Sequence, residues 1–336
     1  MKLEDIGFYT LSDQRARDVA AAVPGAVCAC ERAPFPLQRV ELIVTDRCNF
    51  RCRYCRGVRP ELRGDIPVKD AMRTLELWAE GGMRNVRFSG GEPTLYRDLP
   101  LLVSTAKEYG CEHIAISTNG SSPGAFYEKL LECGVNDFSV SLDACCSATA
   151  DIMAGTTGPF NHVVGNIKRL SALTYVTVGV VVTEHNLGEL KATVEFAQDC
   201  GVADVRVIPA AQYSRHLKPL ADRLDLSRHP ILRYRFMADR PVRGLEPDDC
   251  PTCYLVSDDM AVAGRWHFPC IIYLREGGNP IGEVGPNMRE ERMQWLLDHD
   301  SWTDPICRNN CLDVCIEHNN RVRDIQWSRV KAEAHP

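Results

Sequence analysis

Residues 48–55 read CNFRCRYC: three cysteines, with three residues between the first two and two between the last two. They directly follow ELIVT (41–45), an apolar, β-branched run of strand length. Structural zinc takes four ligands, usually as two paired CxxC knuckles, and this loop holds no fourth Cys or His. Thiolates are soft ligands that suit iron–sulfur clusters. A [4Fe–4S] cube held by three cysteines leaves one iron open to a substrate or cofactor, which a closed site cannot offer.

Outward from this loop, strand-like and helix-like segments alternate. VKDAMRTLELWAEGG (68–82) is followed by VRFSG (86–90), and LPLLVSTAKEYG (99–110) by HIAIST (113–118). GAFYEKLLECG (124–134) leads to DFSVSL (137–142), and FNHVVGNIKRLSAL (160–173) to VTVGVVV (176–182). LGELKATVEFAQDCG (187–201) and VRVIPA (205–210) close the series. The apolar spacing near three and four, with Gly after several helices, predicts six β/α units on a parallel sheet with right-handed crossovers. The expected fold is α/β: a partial (β/α)6 TIM-like barrel, short of the usual eight units, with a small C-terminal cysteine-rich domain. CNFRCRYC, GGEP (90–93), TNG (118–120) and DACC (143–146) each follow a strand, so they converge on one rim. The expected division is an N-terminal extension (1–37), the partial barrel (38–215), a connection (216–249), an auxiliary domain (250–325) and a tail (326–336).

Across 336 residues, 39 Lys and Arg against 45 Asp and Glu give a net charge of -6. That balance carries no electrostatic footprint for nucleic acid or an anionic membrane. The N-terminus lacks the features of a secretory signal, and no run approaches the ~20 apolar residues of a membrane span. The expected location is the cytoplasm, where thiols stay reduced. Of 16 cysteines, three lie in the loop and six between 250 and 315. Cys111, Cys133 and Cys200 sit beside apolar positions and read as small buried hydrophobes. Cys145 and Cys146 are adjacent after a strand.

TDRCNFRCRYC (45–55) resembles the cluster loop of the radical S-adenosylmethionine (SAM) enzymes, and the likeness extends over about residues 38 to 210. The resemblance implies a [4Fe–4S] cluster on Cys48, Cys52 and Cys55 that chelates SAM through its open iron. Reduction then cleaves SAM to a 5′-deoxyadenosyl radical. It implies further that Gly90, Gly91, Glu92 and Pro93 contact the SAM amino group through backbone carbonyls, glycine allowing close approach. Tyr54 would lie against the adenine, Ser141 and Asp143 near the carboxylate or ribose, Thr118 and Asn119 would face the active site, and Ile208 in VIPA (207–210) would meet the adenine. An electron donor such as flavodoxin or ferredoxin is the expected redox partner.

CPTCYLVSDDMAVAGRWHFPC (250–270) and PICRNNCLDVC (305–315) carry Cys250, Cys253, Cys270, Cys307, Cys311 and Cys315. A zinc ribbon is the plain alternative, although six thiols exceed what one zinc needs. The stretch resembles the SPASM or twitch extensions, in which cysteines flanking a β-hairpin start an auxiliary [4Fe–4S] site. One auxiliary cluster is expected, with Cys253 and Cys270 the firmest ligands; two clusters remain open. TDRCNFRCRYC also resembles the GTP cyclase of molybdenum-cofactor synthesis. Against that activity, the sequence ends RVKAEAHP without a Gly-Gly tail, Thr177 or a neighbour stands where a substrate-binding Lys is expected, and three further cysteines follow at 307 to 315. About 37 residues precede the first strand, too few for a leader-binding domain, which counts against a peptide substrate. The expected reaction is hydrogen abstraction from a carbon of a small molecule or peptide, ending in oxidation, epimerisation or a cross-link. For an epimerisation, Cys145 or Cys146 would return the hydrogen atom. A non-catalytic zinc-binding scaffold is the alternative from another class.

Overall fold

A computed structural model of the chain describes residues 13–23, 37–57, 63–210, 217–220 and 224–334. The expected alternation is present: β1 (Arg39–Thr45), α2 (Val68–Glu80), β2 (Asn85–Gly90), α3 (Leu99–Glu108), β3 (His113–Thr118), α4 (Gly124–Cys133) and β4 (Asp137–Ser141). Two helices, α5 (Ser147–Ala154) and α6 (Phe160–Ser171), precede β5 (Tyr175–Val182), followed by α7 (Leu190–Asp199) and β6 (Asp204–Pro209). Ahead of them stands α1 (Asp13–Ala22). After them come α8 (Pro230–Met237), β7 (Ala261–Ala263), β8 (Trp266–Phe268), α9 (Ile271–Arg275) and β9 (Gly282–Glu283). Three helices finish the chain: α10 (Met288–Asp298), α11 (Pro305–Asn310) and α12 (Asp313–Ala334). None of the described helices is long and apolar enough to cross a membrane.

The chain divides into two compact units. One comprises Leu42–Glu76 and Arg84–Val242; the other comprises Met1–Glu41, Leu77–Met83 and Arg243–Pro336. Helix α1 thus groups with the C-terminal unit, where its partner is α12. The connection expected over 216–249 contains α8, and the expected tail from 326 continues α12 to Ala334. The rest of the extension expected over 1–37 falls mostly outside the described residues.

In the larger unit the strands run in the order β6-β5-β4-β3-β2-β1, each from β2 to β6 parallel to its neighbour. The sheet is open, the partial barrel anticipated from sequence. Its strands are buried along most of their length, the polar Asn85, Arg87 and Ser89 of β2 and Asp204 of β6 included. Tyr127 packs edge-on to Phe138 at 5.7 Å inside this core. All strands end on the same rim, and that is what brings distant motifs together.

In the smaller unit the β7–β8 hairpin pairs Ala261 with Phe268 and Ala263 with Trp266. The fully buried Arg292 of α10 organises it, donating to the carbonyls of Val256 (2.8 Å), Phe268 (3.0 Å) and Asp259 (2.5 Å). Three carbonyls satisfy the fork of a guanidinium whose burial alone would be costly. Arg292 also faces Nδ1 of His267 at 3.4 Å, while Nε2 of His267 lies 2.9 Å from Glu291. Arginine can only donate and carboxylate only accept, so His267 is the neutral Nε2–H tautomer.

Candidate active site

The loop after β1 carries Cys48 and Cys55 exposed and Cys52 half-buried, and all three are free thiols. Backbone N–H groups point at two of them: Phe50 N–H to Cys48 Sγ at 3.4 Å and Gly57 N–H to Cys55 Sγ at 3.3 Å. Partial burial pushes Cys48 up and Cys52 to about 12, so neither thiolate is stable there without a compensating positive charge. Three unpaired soft donors, two already facing N–H groups, fit an iron–sulfur cluster and would form its protein ligands.

The GGEP turn is stitched to the start of this loop. Gly91 N–H donates to Thr45 O at 2.8 Å and Glu92 N–H to Arg47 O at 2.7 Å. A Cβ on Gly90 would lie 2.3 Å from Thr45 O, and one on Gly91 would lie 2.3 Å from Arg47 O. Both glycines are therefore required by the packing of the turn on the loop, apart from any approach to a ligand. Pro93 is buried at the head of the short turn that follows.

Glu92 is fully buried, and its carboxylate is used internally. Oε1 accepts from Thr94 N–H (3.1 Å), Thr94 Oγ1 (2.6 Å) and Thr118 Oγ1 (2.7 Å), and Oε2 accepts from Asn119 N–H at 2.6 Å. Burial pushes its pKa up while these four donors hold it down. Thr118, expected to face the active site, is buried with its hydroxyl between Glu92 and Tyr127. Asn119 does reach the loop: its Nδ2 lies 2.8 Å from Asn49 Oδ1 and 3.9 Å from Cys48 Sγ.

From the other side, Tyr54 Oη donates to Asp143 Oδ2 at 2.5 Å, and Val181 N–H donates to Asp143 Oδ1 at 2.7 Å. Burial raises Asp143 to about 6 against these two donors. Asn186 locks the arrangement, its Nδ2 bonding Asp143 O (2.8 Å) and Val181 O (2.7 Å). Arg51 N–H meets Ala154 O at 2.8 Å, and a Cβ on left-handed Gly155 would lie 2.2 Å from Arg51 O. Ser141 is exposed at the end of β4, and Ile208 is half-buried in β6 beside Val181. A cavity of about 160 Å³ opens beside the loop, lined by Arg53, Tyr54, Met153, Thr183, Glu184 and His185 among others. Cys145 is half-buried. Cys146 caps α5 and faces Thr149 Oγ1 (3.5 Å) and Glu189 (4.0 Å), the Thr149 hydroxyl drawing its thiol pKa down.

A family model described as "Radical SAM superfamily" matches residues 42–197. The chain carries a radical SAM domain. GTP 3',8-cyclase of Acidothermus cellulolyticus is 32% identical over 181 residues, 49% of this chain and 49% of that protein. GTP 3',8-cyclase of Staphylococcus saprophyticus is 29% identical over 189 residues, 53% of this chain and 51% of that protein. The chain spans about half the length of these curated relatives. Among solved structures, anSMEcpe with bound AdoMet matches at TM-score 0.60 and 12% identity, covering 88% of this chain and 98% of that one. SuiB of Streptococcus suis bound to S-adenosylmethionine matches at TM-score 0.58 and 17% identity, covering 82% and 67%. Both share the fold. The radical SAM domain implies a [4Fe–4S] cluster and SAM as cofactors, and a reductant to drive it.

In the smaller unit all six C-terminal cysteines line one pocket, with Leu255, Ile272, Tyr273 and Trp295 among its apolar walls. Burial pushes Cys253 to about 12 and Cys270 higher, and hydrogen bonding to Cys315 raises Cys311. In every pair among Cys253, Cys270, Cys311 and Cys315, one thiol is pushed up by the other. Such a crowd of free, half-buried thiols fits a multiply charged iron–sulfur ligand set. The sulfur of Cys250 instead contacts Thr252 O at 3.6 Å, and its charged neighbours are Arg323 and Asp324. Cys307, its thiol also pushed up by burial and by Cys253 and Cys270, lies 3.4 Å from His299 Nε2, and with Asp304 forms a trio whose ligand atoms sit within 4.8 Å of one another.

Sequence reading missed Asn186, Asn49, His299 and Asp304. Asn186 had a weak signal, an Asn in the turn after a strand; the others join the sites only through tertiary contacts.

Proposed function

We propose that this chain reductively cleaves SAM and abstracts a hydrogen from a carbon of a small-molecule or peptide substrate, aided by one auxiliary [4Fe–4S] cluster. The observation that carries this reading is the placing of Cys48, Cys52 and Cys55 on one strand-end loop, held by the GGEP turn on one side and Asp143 on the other. Held by Cys48, Cys52 and Cys55, a cluster would supply the one electron that cleaves SAM, and SAM would supply the hydrogen-abstracting radical.

The chain's own residues set the stage. Glu92 fixes the strand-end peptides of Thr94 and Asn119, and Asn119 in turn holds Asn49 between the first two cluster cysteines. Asp143 fixes Tyr54, between the last two, to the end of β5 through Val181. The loop is thus pinned from both sides, and its thiols are preorganised for ligation. Gly90, Gly91 and Pro93 with Ser141 and Ile208 would form the SAM surround, and the cavity beside Tyr54 would admit adenosine or substrate. Cys253, Cys270, Cys311 and Cys315 are the proposed auxiliary ligands, since they line one pocket and each is electrostatically coupled to the other three, whereas Cys307 is coupled to Cys253 and Cys270 and also faces His299.

A nucleotide cyclisation is the second reading, favoured by the names of the relatives matching the radical SAM half. Anaerobic protein given dithionite and SAM should form 5′-deoxyadenosine; adding GTP and following its loss separates the two readings. A colourless zinc protein would overturn both.

A further inference from the structure

Cys307 stands apart from the four thiols grouped above, because a histidine and a carboxylate converge on it. His299 Nε2 lies 3.4 Å from its sulfur, and one ligand atom from each of His299, Asp304 and Cys307 sits within 4.8 Å of the other two. All three side chains are half-buried. Each is fixed by its own backbone setting. His299 ends α10, its N–H donating to Trp295 O at 2.9 Å, and its ring stacks on the Trp295 indole at 3.9 Å. Asp304 caps α11, with Oδ1 accepting the N–H groups of Ile306 (2.7 Å) and Cys307 (3.0 Å). Its Oδ2 accepts the Tyr273 hydroxyl at 2.9 Å. Cys307 sits on the first turn of that same helix, so the cap that orders Asp304 also orients the thiol.

We infer that His299, Asp304 and Cys307 form a mononuclear divalent-metal site, best matched to Zn²⁺ and separate from the auxiliary cluster. The inference rests on the reading that Cys253, Cys270, Cys311 and Cys315 hold that cluster and leave Cys307 unclaimed. Imidazole nitrogen, carboxylate oxygen and thiolate sulfur are the three zinc ligand types. Bonds of about 2.3 Å to sulfur and about 2.0 Å to nitrogen, set at a tetrahedral angle, put those two atoms about 3.5 Å apart. The observed 3.4 Å needs almost no adjustment. A thiolate and a carboxylate bring two negative charges, which the ion neutralises while the imidazole stays neutral. Without a cation the thiolate is disfavoured: burial, the neighbouring thiols and Asp304 all push the Cys307 thiol up. A plain His–Cys hydrogen bond would account for the short contact, but not for the carboxylate placed beside it. Three protein ligands are one short of a closed tetrahedron, so the fourth position would fall to water or another exchangeable donor. The Tyr273 hydroxyl is the outer partner that orients the carboxylate. The ion would clip the end of α10 to the start of α11, beside the cysteine-lined pocket that Cys307 and Tyr273 share.

The test counts zinc and iron in the full chain, purified anaerobically, reconstituted with iron and sulfide, given Zn²⁺ and freed of loose metal on a chelating column. The unmodified protein should hold about one zinc beside its irons, and X-ray absorption at the zinc edge should show a single sulfur at about 2.3 Å among nitrogen and oxygen ligands. H299A and D304N should each lower zinc occupancy at least about tenfold, and Y273F, which removes only the outer hydrogen bond, should weaken zinc affinity about 10- to 100-fold. Iron should stay at the unmodified level in all three variants, which also shows that the cysteine-lined pocket still folds. No zinc on the iron-loaded unmodified protein, or unchanged zinc in H299A, would overturn the inference alone. Iron lost together with zinc in H299A and D304N would make these residues part of the cluster site and overturn the separate centre. A loss of about four irons in C307S would move Cys307 into the auxiliary cluster and overturn the inference with the ligand set it rests on. A colourless protein whose zinc is ringed by sulfur alone would overturn the functional reading beneath both.

Discussion

Tyr54 Oη lies 2.5 Å from Asp143 Oδ2, joining the cluster loop to the end of β4 across 89 residues of sequence. The other oxygen of Asp143 accepts Val181 N–H, so a single buried carboxylate ties the loop to the end of β5. Substituting Asp143 by Ala leaves a tyrosine hydroxyl and a buried N–H without acceptors, each costing about 1–3 kcal/mol. D143A should lower dithionite-driven 5′-deoxyadenosine formation by about 10- to 100-fold while loop iron is retained, as loss of an outer-shell partner does. D143N, which keeps an acceptor for Val181 N–H, should fall less. Unchanged cleavage in D143A would remove this link from the account.

The glycines of the GGEP turn are argued to serve the loop itself. G91A drives a Cβ to within 2.3 Å of Arg47 O, so the cluster loop must shift. Iron bound per chain after reconstitution should drop by about four, the content of one cube. Gly165, exposed within α6 with nothing within 4 Å of its Cβ position, is the control. G165A should keep full iron and gain up to about 1 kcal/mol in stability. Full iron in G91A would show that the loop tolerates the displacement.

Much of this was legible in sequence, and the exceptions have physical causes. Period and strand-end position located β1 to β6 and placed CNFRCRYC, GGEP, TNG and DACC on one rim, because a parallel sheet aligns the ends of consecutive strands. The job of Glu92 was not legible. A motif names the residue, but the four donors around its carboxylate come from the turn itself and the end of β3. Thr118 likewise belongs to that buried network. In the C-terminal third, spacing alone could not rank six cysteines. Ligation there depends on how a hairpin, α9, α11 and α12 pack, and a Sγ facing Thr252 or His299 is a tertiary fact.

That packing yields a prediction for the auxiliary thiols. C253S and C270S should each lose about four irons per chain, leaving one cube's worth. C250S and C307S should retain both clusters, with any change in C307S confined to the electron paramagnetic resonance of the auxiliary cluster. Iron loss in C250S equal to that in C253S would redraw the ligand set.

The hairpin of the smaller unit carries a pH dependence. Burial, with Arg292 close by, depresses His267 to about 3 from an ordinary 6.5. Below about 6.5 the unfolded chain takes up a proton that the folded chain does not, so stability is lost as pH falls. The loss between pH 6.5 and 5 should be about 1–2 kcal/mol. Urea denaturation at several pH values measures it, and H267Q should flatten that acid limb. An acid limb unaltered by H267Q would exclude the assigned neutral tautomer.

The central claim is that three thiols on one strand-end loop generate the radical. Its most direct measurement is 5′-deoxyadenosine formed from SAM and dithionite, with iron counted in the same anaerobic samples, for the unmodified chain and for C48A/C52A/C55A. The account predicts about eight irons and turnover in the first, and about four irons with no 5′-deoxyadenosine in the second. Persistent 5′-deoxyadenosine without the three thiols, or zinc in place of iron in the unmodified chain, would contradict it.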